Sequence, residues 1–408
     1  MKNKIIIISI FLALNSSLFA QNILNQYLET AAKNNPALKA KFNEYNASLE
    51  KVPQVGALPD PQLTFGYFIM PVETKNGPQQ AKVSVTQMFP WFGTLNSKEN
   101  IFISVAKSKY EDFEDAKSNL FFDVKSTYYD LYFIKKAIDI SLENIEILKT
   151  FERLALIKIE SGKASAVDAL RVELELNNLE NNLVLLKENW FVNSVKFNNL
   201  LNVENNTNIQ IPKRLWMDDL PYSKQAIIDN LTNNHQLKSL GFLKESFAHN
   251  ELLGKKQSLP NIIMGLDYTA IGNTGTSPNA GKDALMVKVG ITIPLYRKKY
   301  SAIIKEAVIQ QQVIEDKKLD KVNALETLFE KVHSEYTDAK RRIILFEKQS
   351  KLTKRAIKLL ENEYTNSGKN FEEILRMDKS VLKYSLELEK ARADKQVSIA
   401  FINYLMGN

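Results

Sequence analysis

The spacing of apolar positions along this chain changes period twice in each half. Leu63, Phe65, Tyr67 and Ile69 alternate with Gln62, Thr64, Gly66 and Phe68, and Val83 and Val85 alternate with Lys82, Ser84 and Thr86. Period two over runs of this length predicts strands with one apolar face. The alternation returns at Ile262, Met264, Leu266 and Tyr268, and again at Leu285, Val287, Val289 and Ile291. Small, polar or charged residues, among them Asp267 and Lys288, mostly fill the positions between. After each strand pair the period lengthens. Residues 96–160 contain neither Pro nor Gly, which at ~1.5 Å per residue predicts a helix of roughly 100 Å. Leu176, Leu179, Leu183, Leu186, Trp190, Asn193, Phe197 and Leu200 then follow steps of three and four, as do Ile374, Met377, Val381, Tyr384, Leu388 and Ala391. That is coiled-coil spacing, and polar Lys395 and Ser398 interrupt it before Ile402 and Leu405.

The order of these features occurs twice. Ala32 aligns with Leu231 at an offset of 199, Gly56 with Gln257 at 201, Val83 with Val287 at 204 and Ser161 with Ser367 at 206. Four matched features in one order point to a tandem duplication. Each copy reads as short helix, strand, strand, long helix, glycine turn, long helix. The first repeat is expected over 21–201, with strands near 62–70 and 81–89 and a helical hairpin near 95–201. An Asn-rich linker follows at 202–221. The second repeat is expected over 222–408, with strands near 261–271 and 283–293 and a hairpin near 299–406.

Residues 1–20, MKNKIIIISIFLALNSSLFA, have the basic start, short apolar run and final small residue of a secretory signal peptide. The 408 residues include no Cys, so an exported chain must be held by packing or assembly. The formal charge of +7 is spread among acidic residues at helical spacing and forms no tract of the kind that tracks a phosphate backbone, which argues against nucleic acid as a partner. No nucleophile motif, phosphate-binding glycine loop or metal-ligand spacing appears around the three dispersed histidines His235, His249 and His333. The expectation is a protein that is not an enzyme and uses no cofactor or metal.

The strands alone fit two structures. In a soluble sandwich their apolar face looks inward; in a membrane barrel it faces lipid, and Lys82, Ser84, Thr86, Asp267 and Lys288 line the lumen. Four strands cannot close a barrel, and lipid tolerates no open sheet edge, so the membrane reading requires several chains to share one barrel.

The signal peptide, the duplicated strand-strand-hairpin unit and the segment Glu160-Ser161-Gly162-Lys163-Ala164-Ser165-Ala166-Val167-Asp168-Ala169-Leu170 resemble the TolC family of outer-membrane efflux channels. Leu58-Pro59-Asp60-Pro61 and Phe89-Pro90-Trp91-Phe92-Gly93 are similar to the family's strand-flanking segments. The resemblance covers nearly the whole mature chain. It implies a mainly helical chain with a membrane β portion: a homotrimer, four strands per chain in a twelve-stranded barrel, and a periplasmic tunnel of helical hairpins. It implies a location in the outer membrane, in contact with its lipid. It also implies a periplasmic adaptor and an inner-membrane pump, commonly of the resistance-nodulation-division type. The function would be a passive, gated conduit exporting small solutes such as drugs or metal ions. A type I protein-secretion duct is the alternative within the family, and a non-channel periplasmic coiled-coil scaffold the alternative outside it.

On that reading Gly162, Lys163, Gly368 and Lys369 sit at the hairpin tips, where adaptors dock. Asp168 and Arg171, with Glu373 and Arg376, form either a gate at the narrow end of the tunnel or ordinary intrahelical pairs. Pro90, Trp91, Phe92, Pro294 and Tyr296 mark the junction between barrel and tunnel.

Overall fold

A computed structural model of the chain describes residues 23–162, 165–216, 218–274, 276–367 and 370–408. The signal-peptide segment 1–20, together with Lys163, Gly368 and Lys369, lies outside the described residues. Helices α1 (23–34), α2 (Pro36–Leu49) and α3 (Lys51–Gly56) lead into β1 (Gln62–Val72) and β2 (Gln79–Phe89), followed by α4 (Thr94–Glu160) and α5 (Ala166–Leu201). The second half runs α6 (Lys224–Asn230), a short 3-10 turn, α7 (His235–Gln257), β3 (Asn261–Ile271), β4 (Ala284–Thr292), α8 (Arg297–Ser367) and α9 (Phe371–Leu405). The fold is thus mainly helical, with a duplicated strand-strand-hairpin unit.

The chain divides into two compact units. The first comprises the residues up to Ala40, Glu114–Asn234 and Val322–Asn408. Its core collects fully buried Val124, Leu131, Tyr128 and Tyr132 of α4, Phe197 of α5, Ile227 of α6, Phe329 of α8, and Ile402 and Leu405 of α9. The two hairpins also pack on one another: Ile145, Leu148 and Phe151 of α4 meet Val172, Leu176, Leu179 and Leu183 of α5, Tyr364 of α8, and Phe371 and Ile374 of α9 in one buried cluster. The buried α5 residues are spaced three and four apart, which puts them on one stripe of the helix.

The linker between the repeats is pinned to this unit by specific polar contacts. Tyr128 donates its hydroxyl to the Gln210 carbonyl at 3.1 Å, and the Gln210 N–H donates to the Tyr27 hydroxyl at 2.9 Å. Nine residues on, the Asp219 carboxylate takes the Lys395 ammonium at 2.7 Å and the Tyr336 hydroxyl at 3.0 Å, with Lys340 at 3.4 Å. Lys395 therefore does more than interrupt a heptad: its side chain is 5% exposed and satisfied by an acid from the linker.

The second unit, Lys41–Phe113 with His235–Lys321, holds all four strands. They form one antiparallel sheet in the order β1-β2-β3-β4, so the middle pair joins the two repeats and β1 and β4 are its edges. The described residues form this single layer and not a two-layer sandwich. Beside the sheet, α7 approaches α8 closely at Gly254, where a Cβ would lie 3.0 Å from Ile304.

Candidate functional site

Register fixes which residues share a face of the sheet. Lys82 pairs with Thr269, Ser84 with Thr64 and Asp267, Thr86 with Gln62 and Gly265, and Gly265 in turn with Lys288. Lys82, Ser84, Thr86, Asp267 and Lys288 consequently lie on one side. The other side carries Leu63, Phe65, Tyr67, Val83, Val85, Met264, Leu266, Tyr268, Leu285, Val287, Val289 and Ile291, all exposed large hydrophobics. A contiguous apolar face of that extent is what a soluble monomer avoids. The loops closing the two hairpins bind each other through backbone bonds, Gly272 N–H to Pro78 O at 2.8 Å and Gly281 N–H to Asn76 O at 2.8 Å.

The strands end in the same way in both repeats. β2 stops at Phe89, immediately before Pro90, and β4 stops at Thr292, two residues before Pro294. Proline has no N–H to offer the ladder, so pairing cannot continue through it. Trp91 and Phe92 meet edge-on at 6.0 Å; Phe92 and Tyr296 are exposed. Gly93 then turns the chain into α4 with φ +78°, a left-handed conformation that a side chain would strain.

At the hairpin ends, Gly162 closes the α4–α5 turn with φ +70°, and its N–H donates to Ile159 O at 2.9 Å. Ser165 caps α5 by accepting from the Val167 N–H at 3.2 Å. One turn on, Arg171 stands 3.4 Å from Asp168 and 2.9 Å from Glu372. The shorter of these contacts joins the two repeats, and Glu372 is the partner that sequence spacing missed, because nothing local distinguishes it from Glu373. Glu373 itself pairs with Arg376, on its own helix. A second bridge between repeats joins Lys379 to Glu175.

Behind these pairs a cavity of about 290 Å³ is lined by Asn144, Glu175, Asn178, Asp378 and Lys379, among others. Asp378 is buried and accepts from Asn144 Nδ2 at 2.9 Å. Burial pushes its carboxyl above the usual range despite that hydrogen bond, and the negative charges of Glu361 and Glu175 push it further. No group of three or more His, Cys, Asp or Glu among the described residues could hold a metal ion. No described helix is long and apolar enough to cross a membrane, which leaves the β-sheet untouched as a membrane element.

A duplicated strand-strand-hairpin chain, with a sheet apolar on one face and charged on the other, has the fold of TolC-type outer-membrane channel subunits. Solved structures bear this out: the outer-membrane channel OprN superposes with a TM-score of 0.78 at 15% identity, covering 95% of this chain and 90% of that one. The outer membrane protein VceC of Vibrio cholerae gives 0.76 at 13% identity, covering 96% and 99%. Residues 27–203 match the family model described as outer membrane efflux protein. Toxin and drug export protein A of Aggregatibacter actinomycetemcomitans is 22% identical over 270 residues, which are 64% of this chain and 58% of that protein. The chain thus spans less than two thirds of the length of that relative. The family is one of channels and not of enzymes.

Proposed function

We propose that this chain is one subunit of a homotrimeric outer-membrane conduit, passive and gated, through which small solutes such as drugs or metal ions leave the cell. The observation that carries this reading is the sheet: apolar outside, charged inside, with two open edges. Three copies contribute 3 × 4 = 12 strands, and each β4 edge meets the β1 edge of the next copy, so no backbone group is left unpaired in lipid. Exposed apolar residues on the long helices, including Leu174, Phe191, Ile344 and Leu359, supply further surface for neighbouring copies. A periplasmic adaptor engages the hairpin ends around Gly162, Lys163, Gly368 and Lys369. An inner-membrane pump, of the resistance-nodulation-division type, supplies the energy. The aromatic and proline residues Pro90, Trp91, Phe92, Pro294 and Tyr296 mark the membrane boundary.

Purified protein is expected to need detergent for extraction, to migrate as a trimer and to give discrete conductance steps in a planar bilayer. Release from membranes by high salt with no conductance would sink the proposal in favour of a coiled-coil scaffold. The word toxin in its relative's name keeps a protein-secretion duct as the second reading; a neighbouring gene for an ATP-driven exporter beside a secreted substrate would select it.

The gate in this scheme is the cluster of Asp168, Arg171, Glu373 and Arg376, to which we add Glu372 because it stands 2.9 Å from Arg171. Each pair is at least partly open to solvent and worth only about 0.2–1 kcal/mol alone, but three copies act on one opening. Arg171→Glu, which sets a new negative charge against Asp168 and Glu372, is expected to raise closed-state conductance on the order of tenfold. Unchanged single-channel records would reduce these residues to surface pairs.

A further inference from the structure

The four strands contain three charged residues, Lys82, Asp267 and Lys288, and register places all three on the same face. They form one cluster. Lys82 Nζ lies 2.7 Å from Asp267 Oδ2, and Lys288 Nζ lies 2.7 Å from Asp267 Oδ1. The carboxylate is 2% exposed, whereas the lysine side chains are 37% and 39% exposed. What meets solvent on this face is therefore lysine, with the acid covered beneath.

The neighbouring backbone is shaped for that arrangement. Lys288 crosses β3 above Gly265, where a Cβ would stand 2.5 Å from its Cε and 3.0 Å from the Val85 carbonyl oxygen. A side chain at Gly265 would force the lysine to shift from this path. The cluster sums to +1 per chain, from two lysines and one aspartate. Charges in the adjoining loops cancel, since Glu73 and Asp283 balance Lys75 and Lys282. Nothing at the mouth of the sheet offsets the inward-facing excess.

We propose that the Lys82–Asp267–Lys288 cluster forms a cationic girdle inside the conduit and biases it toward anionic solutes. This rests on the channel reading and adds the charge class of what passes: of the solutes that reading allows, it favours anionic ones and disfavours free metal cations. Three copies place a net +3 in one ring, six part-exposed lysines over three covered carboxylates. In a confined, low-dielectric wall such a ring concentrates anions and repels cations. Screening limits it to about 10 Å at 0.1 M salt, so the preference should strengthen at low ionic strength and fade near molar salt.

The test is the zero-current potential of the purified full-length protein in a planar bilayer across a tenfold KCl gradient. Wild type is expected to favour chloride over potassium. Lys82→Gln and Lys288→Gln should each lower the chloride-to-potassium permeability ratio about twofold or more, and the double variant should reverse the preference. Lys82→Arg should keep the wild-type ratio, which separates loss of charge from damage to the sheet. A wild-type channel that prefers potassium at low salt, or a ratio indifferent to both single Gln variants, overturns the girdle while leaving the channel standing. Absence of any conductance from wild type overturns the channel reading, and the girdle with it. Should the double variant fail to insert, wild type and the single variants decide the matter alone.

Discussion

Lysine in place of Val287 is expected to keep the protein out of the membrane. Val287 lies near the middle of β4, opposite Leu266, and is 73% exposed on the apolar face. A lysine facing hydrocarbon near mid-depth costs about 2–4 kcal/mol in a barrel, and the proposed trimer would carry it three times, for roughly 6–12 kcal/mol per assembly. That is comparable to the whole stability of an ordinary domain. Fractionation should show the trimer lost from the outer membrane and the chain accumulating as degraded or aggregated material. Thr64→Lys provides the comparison, because Thr64 pairs with Ser84 on the opposite face and the added charge would meet water. Wild-type insertion and conductance of the Val287→Lys protein would show that lipid does not cover this face.

Asp219→Ala is expected to loosen the linker and destabilise the helical unit by about 2–3 kcal/mol, read as a fall in the melting temperature of the detergent-solubilised protein. The reason is asymmetric burial. Lys395 is enclosed and Asp219 is 59% exposed, so deleting the acid strands a buried ammonium, whereas Lys395→Met leaves an acid that water can still reach. The methionine variant should therefore lose less stability, and equal losses from both would refute the asymmetry. The Lys395 ammonium, together with Tyr336 and Lys340, holds the Asp219 carboxyl down to about 2. A depressed acid stabilises above its unfolded value, near 3.9, and that stabilisation is lost as pH falls through about 2. The gap between wild type and Asp219→Ala should narrow accordingly below pH 4. Asp378 acts in the opposite sense, since burial raises it and its folded environment grows less favourable as pH rises.

What the sequence disclosed followed from periodicity. Alternation at Leu63, Phe65 and Tyr67, or at Val287, Val289 and Ile291, reads directly as a face because a strand returns every second side chain to the same side. The helix spacing of Leu176, Leu179 and Leu183 is legible for the same kind of reason, and all three are buried. Contacts between the repeats were not legible. Arg171 with Glu372, Lys379 with Glu175, and Asn144 with Asp378 each join residues roughly two hundred positions apart. Local spacing made Asp168 the natural partner of Arg171, and that contact exists, but the shorter one comes from the other hairpin. Lys395 illustrates the same limit. Its place in the heptad pattern was visible, while the linker acid that permits its burial was not.

The sheet's two open edges also carry a consequence for inheritance. In the proposed trimer every closed ring needs three sound copies of the same seam, so a chain with a damaged β1 or β4 edge but intact helices would still enter assemblies and spoil them. Co-expressed in equal amounts with normal chains, it leaves only about one assembly in eight free of the defect. Lesions along those two strands should therefore behave as dominant, while lesions that stop the chain from folding at all should be recessive.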